Sequence, residues 1–451
     1  MGERYDLHIR GGTVLPMTEG LEWFEGDLLI RDGVIADITR GRATGCDAER
    51  TLDASHGLVL PGFVQGHVHV VQSLLRHQAD EVDLLDWLHR YTWPYEAALD
   101  ADAVEAAAEL GIAELLSGGT TTVLDFGSSH HHDRVFRAAE RLGIRMVSGK
   151  THMDAGDGVP PELIEDTDRS LAEAERLGAR WHGAAGGRLT YSVAPRFALS
   201  CSRRLFTECV RLARANGWLL QTHANENRRE VELIRRHTGR SNIEYFDEVG
   251  LTGHDVVLAH GVHLDSAELE ILRRTETRIC HCPGTNLKLA SGIADVPRLL
   301  ELGVPVILGA DGAPCNNRLS MFHEMSLAAT LHSLRHGPAA MPASRVLSMA
   351  TRGGAEALHL GHLVGTLEVG KAGDVVVLDL GGWSLLPGGD PWARVVYGGS
   401  ARDVKHVVVA GREVVVDGRL AALQDDEVRQ HARQAWTATR SRMEDKGWSR
   451  L

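Results

Sequence analysis

Residues 60–69 read LPGFVQGHVH, and this stretch decides the fold. An apolar run, Leu58-Val59-Leu60, meets a break at Pro61-Gly62 and resumes through Phe63 and Val64 to two histidines one residue apart. Side chains of a strand alternate between its faces, so His67 and His69 project to the same side. Two imidazoles on one strand face, near the strand's end, can hold one divalent ion. An HxH alone equally describes a polar strand end, and the chain contains 24 histidines. The pair therefore needs partners from elsewhere in the chain.

Outward from this stretch the pattern repeats. Apolar, β-rich runs ending in polar residues occupy 60–69, 120–126, 145–151, 189–196, 218–223, 256–260, 278–282 and 305–311. Helical patterns separate them, such as 102–116, closed by Gly118-Gly119, and 202–216, closed by Gly217. Eight such units predict an α/β fold, a (β/α)8 TIM barrel with parallel strands buried on both faces. The alternative is a doubly wound open sheet. The strand ends favour the barrel. Run one ends in His67 and His69, and run five leads into QTHANE, which gives His223 and Glu226. Run six ends LAH at His260 and run eight ends LGAD at Asp311. A closed barrel gathers these groups at one mouth, whereas an open sheet spreads them over several strand spacings. Three imidazoles and one carboxylate around one divalent ion, with water completing the shell, describe a hydrolytic site.

The flanks read differently. Residues 5–10, 27–31 and 34–38 are short strands, and Asp32-Gly33 is a hairpin turn between the last two. After a helix at 343–358 come further β runs at 365–368, 374–378 and 407–416. The expected organisation is a small β-sandwich domain built from both chain ends, 1–58 and 364–422, around a barrel at 59–363. A charged C-terminal helix falls within 423–451. The run His130-His131-His132 follows the second strand and is expected to form a loop over the barrel mouth.

Bulk properties bound the function. A chain of 451 residues can bury a large core, and 43% hydrophobic with 24% charged residues is ordinary for a globular protein. The formal net charge of −13 argues against a nucleic-acid partner. No long apolar stretch suggests a membrane span, and MGERYDLHIRGG has no apolar core of a secretory signal. Six scattered cysteines form no CxxC pair, which suits a cytoplasmic location.

Seven segments together resemble the amidohydrolase superfamily, in its branch of heterocycle deaminases and chlorohydrolases. They are PGFVQGHVH, QADEVDLLDWLHRYTWPYE, APRFALSCS, THANEN, LAHGVHLD, HCPGTNLKLASGIADV and GADGAPCNN. The resemblance covers nearly the whole chain and is nearest to 5′-deoxyadenosine deaminases, with likeness also to melamine deaminase and atrazine chlorohydrolase. It implies one divalent metal per subunit, zinc first and iron as the alternative, held by His67, His69, His223 and Asp311. Glu226, His260 and Asp311 would be catalytic. Asp311 would take a proton from the activated water, His260 would stabilise the developing charge, and Glu226 would protonate the ring nitrogen before ammonia leaves. Relatives with two metals use a lysine after the fourth strand. Here Ala194-Pro195-Arg196 stands there, so a single metal is expected. Lys150, at the end of run three, reads as structural or as a charge on the pocket wall.

The resemblance also implies a pocket. Gln72, Arg196 and Phe197 match guanine deaminases, where this glutamine and a Pro-Arg-Phe contact the purine. Trp87 is placed to stack on a ring or to anchor its loop. Cys315 follows the melamine deaminase pattern and favours an amine leaving group over chloride. Leu85 stands where relatives that recognise an adenosine sugar carry glutamate, leaving Asp86 as a substitute. Gly261 and His263 replace bulkier residues and are expected to widen the pocket. The expected substrate is a small heterocycle, most closely a 5′-substituted adenine nucleoside, with guanine or an s-triazine as the alternative. Other readings are a chlorohydrolase and a non-catalytic barrel used for assembly, although the assigned ligands are all kept. A homodimer or higher homo-oligomer is expected, with no nucleic-acid or membrane partner.

Overall fold

The computed structural model describes residues 4–20 and 22–448. Eight parallel strands form the barrel: Phe63–His69, Thr120–Phe126, Arg145–Gly149, Leu189–Pro195, Leu219–Ala224, Val256–His260, Arg278–His281 and Val306–Leu308. Each pairs with the next in this order. Asp311 and Gly312, just past the last strand, pair with Val68 and His69 of the first and close the circle. The closed barrel is the expected one. Its helices begin and end where the sequence provides caps. The Ser202 hydroxyl accepts the Leu205 N–H at the start of Arg203–Asn216, and Gly217 ends that helix at φ 67°.

The run at 60–69 is not one strand. Gly57–Pro61 pairs antiparallel with Val375–Asp379 in a second sheet, and Phe63–His69 alone enters the barrel. Gly62 sits at the crossing between the two. A Cβ there would lie 2.0 Å from Thr121 Oγ1, so only glycine permits the close approach.

The second sheet has nine strands and draws on both ends of the chain. Its order runs Arg419–Leu420, Arg412–Val416, Val404–Val409, Val375–Asp379, Gly57–Pro61, Arg4–Val14, Phe24–Arg31 and Val34–Arg40, with Asp47–Asp53 beside Arg4–Val14. It is hydrogen-bonded as one continuous sheet and encloses a core that includes Leu7, Ile30, Val59 and Val375. The hairpin at Asp32-Gly33 forms, with Arg31 opposite Val34. The run at 407–416 is two strands joined at Ala410-Gly411, and 365–368 is not a strand. The helix at 343–358 is split into Ala343–Met349 and Arg352–Ala357. There Gly354 packs against Val64, with room for no Cβ. The terminal helix Asp425–Asp445 lies on Ala101–Ser117, where His431 pairs with Glu109 at 2.8 Å.

One buried ion pair joins the two sheets. Arg145, at the start of the third barrel strand, donates from Nε and Nη2 to Asp374 at 3.1 and 2.9 Å. Both side chains are nearly inaccessible. Asp374 also accepts the Ala410 N–H, and its carbonyl accepts the Gly62 N–H. Removing one partner leaves an uncompensated buried charge, which typically costs about 3–5 kcal/mol. Arg145→Met is expected to lower the midpoint of chemical unfolding by that order, measured in urea. Wild-type stability in this variant would show that the pair does not hold the sheets together.

Candidate active site

Four side chains meet at the C-terminal mouth of the barrel. His67 and His69 leave the first strand on one face, as their spacing requires. His223 comes from the fifth strand and Asp311 from beyond the eighth. His69 Nε2 and His223 Nε2 are 3.2 Å apart, and Asp311 Oδ1 lies 3.4 Å from the Nε2 of both His67 and His69. Ligand atoms held tetrahedrally at ~2.1 Å from one ion stand roughly 3.4 Å apart, so these spacings fit a metal. The buried His67 Nε2 has no hydrogen-bond partner among the described residues. The facing Nε2 atoms of His69 and His223, on stacked rings, can share either a hydrogen bond or a metal ion.

Protonation states agree with that reading. Burial holds His67 below the usual histidine range, and His69 and His223 well below it, so their lone pairs stay free. Burial alone would raise Asp311. The imidazole of His67 facing it, with those of His260 and His69, outweighs burial and keeps the carboxylate well below its ordinary value. The His223 Nδ1–H donates to the Arg196 carbonyl at 2.7 Å, which fixes the tautomer and aims Nε2 into the mouth. Asp311 adopts φ 63° and His260 φ 79°, left-handed backbone that turns both side chains inward where the strands end.

His260 lies between two carboxylates, with Nε2 3.5 Å from Glu226 Oε2 and 4.0 Å from Asp311 Oδ2. Its Nδ1–H donates to Asn286 Oδ1 at 3.0 Å. His67, His260 and Asp311 also form a possible metal triad, overlapping the triad of His67, His69 and His223. Glu226 opens the turn into the helix Arg228–Thr238. The Glu230 carboxylate accepts the N–H groups of Glu226 and Asn227 at 2.9 and 3.1 Å and fixes that turn. Burial, with the charge of Asp311, pushes the Glu226 carboxyl well above the ordinary range.

A small cavity, of about 30 Å³, opens over these groups. Gln72, Trp87, Arg196, Phe197 and Glu226 line it, as expected, together with Leu84, Leu88 and Leu289. Cys315 does not. Its thiol is buried, donates to the Gly312 carbonyl at 3.1 Å and accepts from Thr285 Oγ1 at 3.4 Å. The short helix Ala313–Asn316 turns it under the mouth, so the substrate contact expected of it is not made. Cys315→Ala is expected to leave substrate preference unchanged in steady-state kinetics. A changed ratio between an amine and a chloride leaving group would return Cys315 to the pocket.

Other expectations also shift. His130, His131 and His132 line a separate cavity with Lys150 and Glu165, not the mouth. Lys150 is buried, pairs with Glu165 and donates to Ser170 Oγ at 2.8 Å, so it is structural. Asp86 lines neither the mouth cavity nor its neighbour. Gly261 and His263 do not line the mouth either, because the His263 Nε2–H is held by the Ser291 carbonyl at 2.7 Å.

Two features escaped sequence reasoning. Glu96, inside the WPYE segment, accepts from Gln72 Nε2 at 2.9 Å and from Arg196 Nη2 at 3.2 Å. Asp125 accepts the Val70 N–H at 3.0 Å and the Ser148 hydroxyl at 2.6 Å, bracing the backbone next to His69. Both residues stand in segments whose apolar pattern drew attention elsewhere.

A closed barrel with a buried His/Asp cluster that could hold a metal ion, beside a buried carboxyl at the same mouth, is the arrangement of a hydrolase. The chain belongs to the amidohydrolase family, whose model matches residues 58–414. It is 38% identical to a 5-methylthioadenosine/S-adenosylhomocysteine deaminase of Syntrophobacter fumaroxidans, over 95% of this chain and 97% of that one. It is 37% identical to a 5′-deoxyadenosine deaminase of Methanothermobacter thermautotrophicus, over 91% and 94% of the two chains. A solved adenosine deaminase of Xanthomonas campestris, with bound zinc, superposes with a TM-score of 0.91 at 28% identity, covering 98% of this chain and 100% of that one. Among the described residues, no helix is long and apolar enough to cross a membrane.

Proposed function

We propose that this amidohydrolase releases ammonia from an amino-substituted heterocycle, most closely a 5′-substituted adenine nucleoside, and converts it to the inosine analogue. The observation that carries the reading is a buried Glu226, its carboxyl pushed up by burial, beside a His/Asp cluster that could hold a metal in one small cavity. The names of the Syntrophobacter and Methanothermobacter relatives support the adenine nucleoside.

His67, His69, His223 and Asp311 would hold one divalent metal, with zinc first on the likeness to the Xanthomonas protein. Such a metal supplies water of lowered pKa and polarises the attacked centre. The remaining steps belong to the chain's own residues. Asp311 stays ionised and takes the proton of the attacking water. His260, between the two carboxylates, hydrogen-bonds the water and steadies the charge that develops. Glu226 gives its proton to the ring nitrogen beside the amine-bearing carbon, which makes that carbon electron-poor. After the water oxygen has bonded to it, the proton held by Asp311 passes to the amine, the C–N bond breaks and ammonia leaves. The proton on the added oxygen returns to Glu226. Trp87 and Phe197 pack on the ring and exclude water.

A second cavity, of about 640 Å³, has Phe197 in common with the first and is also walled by Leu85, His89 and Trp93. Guanine or an s-triazine is the second reading, favoured by Gln72, Arg196 and Leu85. A homodimer or larger homo-oligomer and a cytoplasmic location complete the proposal, on family resemblance.

The test is ammonia release by the zinc-loaded protein on 5′-deoxyadenosine, methylthioadenosine, adenosine, guanine, melamine and an aminochlorotriazine. Turnover of the adenine nucleosides is expected to exceed the rest. Turnover of guanine or melamine alone would replace the first reading by the second. Silence on all of them, with metal bound, would reject the proposal.

A further inference from the structure

A buried carboxylate with no part in the reaction above holds two residues of the cavity wall, Gln72 and Arg196. Glu96 lies in the helix Trp93–Ala97, and its side chain is only 8% exposed. It accepts the Gln72 Nε2–H at 2.9 Å through Oε1, and both terminal nitrogens of Arg196 turn to it, Nη2 at 3.2 Å. A buried carboxylate between an amide and a guanidinium is well satisfied, so its presence alone could be structural. The consequence for the two partners is more specific.

An ionised carboxylate only accepts hydrogen bonds. The Gln72 side chain must therefore turn its NH2 to Glu96 and its carbonyl the other way. The buried Gln72 Oε1 has no partner among the described residues, and it faces Gly312, next to the cluster residue Asp311. A Cβ on Gly312 would lie 2.1 Å from it. The Arg196 fork is closed on Glu96 from one side, which leaves its remaining N–H groups for the cavity. With Glu96 in place, Gln72 offers only an acceptor and Arg196 offers only donors. Without it, Gln72 can rotate and offer either.

The geometry points to Glu96 as the positioning residue that sets the hydrogen-bond pattern by which the pocket selects its heterocycle, a ring presenting a donor to Gln72 and an acceptor to Arg196. The inference rests on the proposed site being a heterocycle pocket and goes beyond it. Glu96 touches no reacting atom in this account. It acts through Gln72 and Arg196, so its loss should change which ring is preferred more than how fast the bound ring reacts. The Arg196 carbonyl also holds His223 Nδ1, so metal content must be checked in every variant.

The experiment compares wild type, E96Q, R196A and E96Q/R196A, each zinc-loaded and with measured metal content. Turnover and equilibrium binding are recorded for 5′-deoxyadenosine and guanine, whose edges reverse donor and acceptor at ring position 1. E96Q is expected to raise KM for the preferred ring at least about 10-fold, which corresponds to roughly 1.4 kcal/mol, with kcat changed only a few-fold. The preference ratio between the two rings should move toward unity. In the R196A background E96Q should cost much less, because one of its two partners is already gone. An equal fall of kcat on both rings, with KM and preference unchanged, would overturn the proposal and leave Glu96 a structural carboxylate. If the wild type binds a ring but deaminates neither, the deaminase reading fails, and the shift in binding affinity alone decides the role of Glu96. A wild type that binds neither ring overturns the inference.

Discussion

Glu226→Gln is expected to lower kcat by about 10²–10⁴ while the protein keeps its fold and its metal. Glutamine has nearly the same shape and can donate a hydrogen bond, but it cannot transfer a proton to a ring nitrogen. Burial favours the neutral form of this carboxyl, so the substitution is expected to cost the fold little, and the thermal midpoint should stay the same or rise. Steady-state kinetics and metal analysis on the same preparation check this, and unchanged turnover would remove Glu226 from the mechanism. The same carboxyl sets a pH limit. Its pKa is raised above the ordinary range, so the acid form is lost only as pH climbs through that raised value. Turnover should therefore fall on the alkaline side in wild type. An alkaline limb unchanged in the residual activity of the glutamine variant would assign it to another group.

Asp311→Asn is expected to abolish measurable turnover, a loss of at least about 10³-fold, and to weaken zinc retention. Asparagine tolerates the left-handed backbone at φ 63° about as well as aspartate, so the strand end should keep its shape. What disappears is the negative charge 3.4 Å from both His67 and His69 and the base facing His260. Dialysis against a weak chelator followed by metal analysis separates the two effects. Full activity in the metal-replete variant would exclude Asp311 as the proton acceptor.

Much of the fold could be read in advance because the barrel strands announce themselves. A run such as 256–260, VVLAH, is apolar on both faces, ends in a polar residue and is followed by a capped helix. The meeting of His67, His69, His223 and Asp311 was legible because each stands at a strand end, and a closed barrel leaves those ends one place to go. Contacts between side chains of different loops were harder to read. Nothing local in WPYE says that Glu96 will meet Gln72 and Arg196, because that contact depends on two loops folding over the mouth. Cys315 was misplaced for a related reason. It stands only four residues beyond Asp311, yet one short helical turn carries its thiol beneath the mouth. The His130–His132 run was misread as a cover for the mouth because composition records nothing about the direction in which a loop leaves its strand.

Gly62 is a single residue between a strand at the heart of the terminal sheet and the strand that ends in His67 and His69. No slack exists there for one layer to come apart while the other stays whole. A ligand that binds only the native state stabilises it by RT ln(1 + L/Kd), with L its free concentration, which is about 4 kcal/mol when L is a thousand times the dissociation constant. Metal captured at the mouth should therefore protect the amides of Val375–Asp379, on the far side of the glycine, against hydrogen exchange. The ion then acts as a latch on strands contributed by both ends of the polypeptide, and loss of the metal should loosen a sheet that never touches it.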